Sequence, residues 1–193
     1  MLSTLSSLKS RLGIADTDVQ FDDLLTSALN AVSTRFDHET NRTLARTVDA
    51  TEEFAADETE IVVSSYPIES ISKFETKTNE TDGWVEQPTV EFLVRRGGVI
   101  SLLEPVGACG ELARVTYTGG FVLPGTTPSL GQAPLPADLE QAAIEQAACW
   151  FQNRDKLGLV RQWLHQGTYE QFTQLDLLPE VRAVLENYRR WQI

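Results

Sequence analysis

The sequence FDDLLTSALNAVSTRFDHETNR, residues 21–42, carries the strongest structural signal in the chain. Its apolar residues recur with the 3.6-residue period of an α-helix, and they are Phe21, Leu24, Leu25, Ala28, Leu29, Val32 and Phe36. Asp22 and Asp23 stand in the first turn, where negative side chains interact favourably with the helix dipole. We therefore predict a long amphipathic helix that runs to about Asn41.

Shorter helices are predicted at both ends of the chain. Residues 4–12 form the first, which Gly13 ends. A helical period returns at Pro136–Arg154, where Pro136 lies near the first turn and its missing N–H costs little, and again at Pro179–Trp191. The apolar stripe of the last helix consists of Val181, Val184, Leu185, Tyr188 and Trp191. Because neither helical half can bury its stripe alone, we expect the two halves to form one unit.

The middle of the chain is rich in the residue types that favour strands, namely Thr, Val, Ile, Phe and Tyr. Strands are predicted at Glu60–Ser64, Ile71–Lys77, Thr89–Val94, Val99–Leu103 and Leu112–Thr118. The pairs Asp82-Gly83 and Gly97-Gly98 are typical of tight turns. Turns that recur every ~8–12 residues are typical of a small antiparallel sandwich or barrel.

Together these patterns predict the α+β class. The helical unit, made of the N-terminal helices and two C-terminal helices, comprises residues 1–45 and 134–193. An antiparallel β-sandwich or barrel-like region is inserted at 46–125. The stretch 122–133 is rich in Pro, Gly, Ser and Thr, and it is predicted to be a linker or an exposed loop.

The negative charge of the chain is concentrated in this insert. Residues 47–93 hold twelve carboxylates and two lysines, which accounts for −10 of the net charge of −12. A protein that binds nucleic acid needs a basic face to neutralise phosphates, and this chain has no basic cluster larger than an arginine pair. The acidic run has two interpretations: a solvated sheet face that keeps the protein soluble, or a surface that stays near DNA without binding it.

Composition excludes several other classes. No apolar run approaches the ~20 residues of a membrane helix, and the N-terminus lacks the apolar core and cleavage pattern of a signal peptide. Cys109 and Cys149 lie far apart without CxxC spacing, so we interpret them as free thiols in a reducing cytoplasm. We expect no metal and no cofactor.

The sequence contains no catalytic signature. His38 lies near the end of the long helix with carboxylates only as direct sequence neighbours, which point in different directions. His165 has no carboxylate or cysteine at ligand spacing. Zinc-protease, nucleophile-elbow, phosphate-loop and dinucleotide motifs are all absent, so we predict that the chain is not an enzyme.

Two groups of residues are candidates for a functional surface. Aromatic and arginine side chains are enriched at interface hot spots, and the C-terminus holds Tyr188, Arg189, Arg190 and Trp191. Tyr188 and Trp191 also fit the helix stripe, whereas the two arginines lie off it and are expected to be available to a partner. The second group is an acidic surface that consists of Asp16, Asp18, Glu52, Glu53, Asp57 and Glu58.

Seven stretches that span most of the chain form a recognisable series: Leu5-x-x-Leu8-Lys9-x-x-Leu12-Gly13-Ile14, Asp22-Asp23-Leu24-Leu25, Thr40-Asn41-Arg42, Tyr66-Pro67-Ile68, Tyr117-Thr118-Gly119-Gly120-Phe121, Leu135-Pro136-x-Asp138-Leu139 and Asn153-Arg154. In their order and spacing they resemble the head-tail connector, or adaptor and head-completion, proteins of tailed bacteriophages. The chain departs from short family members in its longer, more acidic β insert.

The resemblance implies a non-enzymatic virion protein at the neck, assembled in the host cytoplasm. It implies a homo-oligomeric ring, commonly of twelve subunits, between the portal protein and the tail or stopper protein, with DNA passing through the channel without specific binding. By analogy, Tyr188, Arg189, Arg190 and Trp191 would contact the portal. The acidic residues would face the lumen or the exterior of the ring, and residues 157–174 or the β insert would face the tail or the lumen. Deletion of residues 187–193 is expected to leave a folded monomer that cannot dock.

Other interpretations remain open from the sequence. The chain could belong to another layer of the phage neck or be a tail-completion protein. It could also be an acidic cytoplasmic binding module or a carbohydrate-active β-sandwich, although paired carboxylates such as Glu52-Glu53 and Asp57-Glu58 lack the aromatic surroundings of sugar sites. Oligomeric state and a ligand-induced melting shift would separate these classes.

Overall fold

A computed structural model describes residues 1–156, 161–163, 169–171 and 176–190 of the chain. They form two compact units. The helical unit consists of Met1–Phe36 and Pro136–Tyr188, and the β unit consists of Asp37–Leu135 and the chain end from Arg189. The α+β class predicted from the sequence is confirmed.

The described residues contain four α-helices, with bounds close to those predicted in most cases. Helix α1 is Leu5–Leu12, α2 is Asp22–Thr40, α3 is Ala137–Gln152 and α4 is Pro179–Glu186. At the start of α1 the Thr4 hydroxyl accepts a hydrogen bond from the Ser7 N–H at 3.1 Å, which satisfies an N–H that has no partner within the helix. Left-handed Gly13 ends this helix as expected.

Two helix predictions need correction. Helix α4 ends at Glu186 and does not reach Trp191, so the arginine pair lies beyond the helix rather than on its outer face. In α2, Leu24 is 47% exposed, although its spacing placed it on the apolar stripe. The buried stripe is therefore narrower, and it consists of Leu25, Leu29, Val32 and Phe36.

Burial of apolar side chains is the main source of stability in the helical unit. Leu8, Leu25, Leu29 and Leu139 are fully buried. Small side chains at Ala143 and Ala147 of α3 are buried as well. Charged pairs support this packing: Lys9 Nζ lies 2.5 Å from Asp22 Oδ1, and Arg11 binds both oxygens of Glu145 at 2.9 and 2.8 Å.

Most of the described strands lie in the β unit. They are β1 (Thr47–Ala55), β2 (Glu60–Val62), β3 (Ile68–Lys77), β4 (Val85–Gln87), β5 (Phe92–Arg95), β6 (Val99–Leu102), β7 (Leu112–Gly119), β8 (Phe121–Val122), β9 (Ala133–Pro134), β10 (Arg161–Trp163) and β11 (Tyr169–Gln171). The long strand β1 was not predicted, because its polar sequence TVDATEEFA hides the alternation of half-buried and exposed positions.

Two open antiparallel sheets organise the β unit. One has the order β1-β7-β3-β4 and the other β2-β6-β5, and no closed barrel is present in the described part of the chain. The predicted turn at Gly97-Gly98 joins β5 to β6. Strands β8 and β9 pair in parallel, which the sequence did not indicate, and they bring together the two ends of the stretch 122–133. Strands β10 and β11 form a separate antiparallel pair.

Side chains from both sheets share one core. It contains Phe54, Phe74, Val115 and Tyr117 from the larger sheet and Ile61, Ile100 and Leu102 from the smaller one. Tyr117 is fully buried, and its hydroxyl accepts a hydrogen bond from the Ser65 N–H at 2.9 Å. The phenol therefore fills the core and satisfies a backbone donor at the same time.

A charged network on the larger sheet makes stability sensitive to acid. Glu75 has a side chain only 8% exposed, and it binds Arg114 Nε at 2.7 Å and Lys73 Nζ at 3.1 Å. The hydrogen bond from Arg114 is the main reason that the pKa of Glu75 is lowered from its ordinary 4.5. A lowered folded-state pKa contributes stability above the unfolded-state value, and this contribution is lost as pH falls through the lowered pKa.

We predict that Glu75→Gln lowers the free energy of unfolding by about 1–3 kcal/mol at pH 7, because it removes a charge-assisted hydrogen bond from Arg114. Below pH 4.5 the difference from the unmodified chain should shrink. Urea unfolding at a series of pH values measures both effects. Exposed Glu104 provides the control Glu104→Gln, and an equal loss in the two variants would contradict the role given to Glu75.

Candidate functional site

The three C-terminal candidate residues that the structure describes fall in different units. Tyr188 belongs to the helical unit, whereas Arg189 and Arg190 belong to the β unit. Trp191 lies outside the described residues, so its predicted role stays a prediction. In the helical unit the Tyr188 hydroxyl donates to the Asp138 carboxylate, with distances of 2.8 and 2.9 Å to its two oxygens.

Arg190 is held inside the chain. Its guanidinium Nη2 lies 2.6 Å from Glu52 Oε1 and also donates to the Val62 carbonyl, and its backbone N–H donates to the Thr40 carbonyl at 2.8 Å. We call Arg190, Glu52 and Val62 the C-terminal clasp. The side chains of Arg190 and Glu52 are only 23% and 18% exposed. This arrangement corrects the expectation that Arg190 is available to a partner.

Arg189 has the opposite character. The residue is exposed, and its Nε donates to the Glu39 carbonyl at 3.3 Å. Its own carbonyl accepts from the Tyr66 hydroxyl at 3.1 Å, so the backbone is fixed while the residue stays exposed. Among the two described arginines of the C-terminus, Arg189 is therefore the one that an external carboxylate can reach.

The acidic candidates also fall into two groups. Asp16 and Asp18 are exposed in the α1–α2 loop, where Asp16 accepts from the Ser6 hydroxyl at 3.1 Å and Asp18 Oδ1 accepts from the Gln20 N–H at 3.1 Å. Glu53, Asp57 and Glu58 are exposed on the β unit. Glu52 is distinct from these, because Oε2 accepts from the Ser64 N–H at 3.0 Å while Oε1 binds Arg190.

A polar groove of about 430 Å³ contains the clasp. Its lining includes Glu52, Glu53, Glu58, Glu60 and Arg190. The arginine neutralises only part of this carboxylate cluster, so the groove keeps a negative field. The sequence predicted that these carboxylates form an acidic surface. It could not predict that they lie close to Arg190, because the residues in contact are about 140 positions apart.

A second groove lies on the helical unit, and the sequence did not predict it. It has a volume of about 360 Å³ and is lined by Asp138, Gln141, Ala142, Glu145, Leu178, Glu180, Val181 and Val184. The lining surface is mostly apolar, and it includes the three carboxylates Asp138, Glu145 and Glu180. Arg11 binds one of them, which lowers the pKa of Glu145 mainly through its side-chain hydrogen bond.

A buried amide fixes α3 against the start of α4. Gln146 is fully buried, and its Oε1 accepts from the Leu178 N–H at 2.9 Å, while Nε2 donates to the Asp176 carbonyl at 3.5 Å. The Leu178 N–H is among the first donors of α4, which have no partner within the helix. Gln146 therefore acts as a cap supplied by another helix.

We predict that Gln146→Leu lowers the stability of the helical unit by about 1–3 kcal/mol, because the Leu178 N–H loses its buried acceptor. Hydrogen exchange should accelerate in 176–186. Exposed Gln141 of the same helix provides the control Gln141→Leu, which removes a surface amide. Unchanged exchange in 176–186 of Gln146→Leu would show that the amide does not hold α4.

The described residues offer little for other kinds of site. Among them, no group of three or more His, Cys, Asp or Glu side chains is placed to hold a metal ion. No helix within the same residues has the length and apolarity needed to cross a membrane. Cys109 is exposed and Cys149 half-buried, both as free thiols.

The fold places the chain among α+β proteins that combine helices with open antiparallel sheets. The model of the head completion protein family matches residues 1–191. The chain therefore belongs to the head completion protein family, and the resemblance to phage connector proteins is confirmed. This is a family of structural proteins of the phage particle rather than of enzymes.

Solved structures with a similar fold come from gene transfer agent (GTA) particles. A chain from the neck of an empty GTA particle computed with C6 symmetry matches with a TM-score of 0.61 and 15% identity, over 100% of this chain and 91% of that one. A chain from the virion of a native GTA particle matches with a TM-score of 0.59 and 17% identity, over 100% and 91%. The search of curated proteins returned no match.

Proposed function

We propose that the chain is a neck component that forms a homo-oligomeric ring of twelve subunits between the portal protein and the tail or stopper protein, around the DNA channel. The observation that carries the proposal is the match to the head completion protein family over residues 1–191. A similar structure comes from the neck of a particle computed with sixfold symmetry, which supports the proposal because a twelve-membered ring is compatible with sixfold averaging.

Charge supports the proposed position beside DNA. The chain has a net charge of −12, and Glu53, Asp57 and Glu58 are exposed. Like charges repel, so a carboxylate-lined channel lets DNA pass without binding it. The exposed carboxylates at Asp16 and Asp18 are the second candidate for this lining.

Removal of the chain from the phage that encodes it tests the function directly. DNA-filled heads without attached tails should accumulate, and supplying the chain from a plasmid should restore tailed particles. Imaging of the restored necks should show twelve copies in a ring between portal and tail. Normally tailed, infectious particles in its absence would rule the proposal out.

The channel role is tested by charge. A triple variant that changes Glu53, Asp57 and Glu58 to lysine should assemble into particles yet eject DNA more slowly at low ionic strength, and salt should reduce the effect. A variant with glutamine at the same three positions removes the repulsion of DNA without adding an attraction to it, so it separates the two effects. Ejection at the normal rate by the lysine variant would mean that these carboxylates face away from the DNA.

Portal contact is best tested at Arg189. Deleting residues 187–193 would also remove Arg190 from the clasp, so a truncated chain confuses lost docking with a weakened β unit. Arg189→Glu reverses an exposed charge and leaves the clasp in place. We expect it to stop docking on the portal while the melting temperature is unchanged, and Arg189→Lys to retain docking. Full docking by Arg189→Glu would exclude this residue from the contact.

A further inference from the structure

Strand β5 is an apolar strand whose outer edge is open. It stands at the end of the sheet order β2-β6-β5, and no strand of the described residues pairs with its outer side. Phe92, Leu93 and Val94 are 39%, 58% and 44% exposed. An exposed apolar edge of this kind readily adds another strand, and proteins usually protect such edges.

The direction of the backbone groups identifies which residues are available. The Leu103 N–H donates to the Glu91 carbonyl at 3.0 Å, so the backbone N–H and C=O groups of Glu91 point toward β6. Hydrogen-bonding direction alternates along an antiparallel strand, so Leu93 and Arg95 face β6 as well. The N–H and C=O groups of Phe92 and Val94 therefore point away from the sheet, toward the open edge.

The sequence of this edge is complementary to itself. Residues 91–95 read Glu-Phe-Leu-Val-Arg. If two copies lie antiparallel with Leu93 opposite Leu93, Phe92 and Val94 of each exchange backbone hydrogen bonds with Val94 and Phe92 of the other. In this register each Glu91 lies opposite the Arg95 of the other copy, and each Phe92 lies opposite a Val94. Opposite charges and aromatic–β-branched pairs both stabilise neighbouring strands.

We propose that two copies of the chain pair through the open edges of their β5 strands, with a twofold axis at Leu93. The backbone donors and the charges independently select this register, which is why a second copy fits the edge better than an unrelated strand. The contact is small, so the pair should be weak and dependent on concentration. It is also a two-fold contact of like with like, unlike the head-to-tail contacts of a ring, and it does not depend on the proposed neck role.

Arg95 has a partner within the chain that must be considered. Its Nη1 lies 2.9 Å from Glu60 Oε1, and the two side chains are 58% and 41% exposed. Exposed ion pairs of this kind contribute little to stability. Arg95 can therefore bind Glu91 of a second copy without a large loss.

Charge reversal gives a test that depends on the register. Glu91→Arg alone or Arg95→Glu alone places like charges opposite each other and should abolish the dimer in sedimentation velocity at rising concentration. An equal mixture of the two variants restores both opposite pairs and should form heterodimers, as should the double variant with itself. Circular dichroism checks that each variant is folded. A mixture that stays monomeric while the unmodified chain dimerises would overturn the proposed register.

Cross-linking measures the geometry directly. In an antiparallel sheet the Cα atoms of a non-hydrogen-bonded pair lie about 4.5 Å apart, within disulfide range. Leu93→Cys, in a chain with serine at 109 and 149, should therefore form a disulfide-linked dimer on mild oxidation. The control is Val85→Cys, since Val85 is 53% exposed on the edge strand β4. Equal cross-linking of the two variants, or a monomeric unmodified chain at every concentration, would overturn the proposal.

Discussion

Replacing Gly119 by alanine is expected to disrupt the β unit strongly. Gly119 ends the central strand β7, where it pairs with Thr47 of β1 and Ile68 of β3. A Cβ at this position would lie 2.3 Å from the Ser65 carbonyl oxygen and 3.0 Å from that of Pro67. Both neighbours are backbone atoms, so no side-chain rotation can relieve the overlap.

Overpacking of a core typically costs about 1–3 kcal/mol, and a clash with two backbone segments should exceed that range. We expect Gly119→Ala to be insoluble or to lose its β-unit transition in urea unfolding. Hydrogen exchange should become rapid in 44–77 and 112–122, where the strands beside Gly119 lie. Protection at the normal level in these ranges would show that the strands can separate to accept a methyl group.

Gly83 provides the matched control. It has a φ of +72°, and nothing lies within 4 Å of an added Cβ. Gly83→Ala should cost only about 1–2 kcal/mol, from the left-handed backbone alone. Gly119→Ala tests the shortage of space around an added Cβ, and Gly83→Ala tests the cost of a left-handed backbone. Comparing the two variants separates these causes.

Replacing Arg190 by alanine is expected to produce the second large effect, by opening the C-terminal clasp. The change leaves Glu52 Oε1 and the Val62 carbonyl without their donor. Loss of a hydrogen bond to a charged and largely buried partner costs about 1–3 kcal/mol. We therefore expect a lower unfolding midpoint in urea and faster exchange at 60–64.

Two further variants test the cause of this effect. Arg189→Ala removes an exposed arginine next in sequence and should change stability by less than about 0.5 kcal/mol. A double-mutant cycle with Glu52→Gln measures the coupling between Arg190 and Glu52. Additive effects in this cycle would mean that the Arg190 side chain stabilises the chain through the Val62 carbonyl rather than through Glu52.

The clasp explains why the functional surface could be only partly predicted. Composition indicated correctly that arginines and aromatics gather at the C-terminus, and that acidic residues gather in the insert. It could not indicate that Arg190 neutralises Glu52, because 138 positions separate them. Two groups that looked like separate outward-facing surfaces are joined at this contact, and Arg189 is left as the exposed guanidinium.

The local pattern of the sequence determined the helices and the class of fold. The apolar spacing in residues 21–42 and 136–154 predicted α2 and α3 to within two residues at each end, because a helix depends on contacts three and four residues apart. Turn residues likewise placed the β5–β6 hairpin. Helices and tight turns depend on residues close together in the chain, so the local sequence is enough to predict them.

The tertiary structure decided the features that depend on distant backbone segments. Strand β1 forms because β7 supplies its hydrogen-bonding partner, not because TVDATEEFA strongly favours a strand. Nothing local in the sequence shows why residue 119 is a glycine, yet the close approach of the 65–67 backbone leaves no room for a Cβ there. The open edge of β5 has the same origin: its five residues are visible in the sequence, but their exposure depends on the strand order of the sheet. Sheet pairing and close packing join residues far apart in the chain, so no local pattern specifies them.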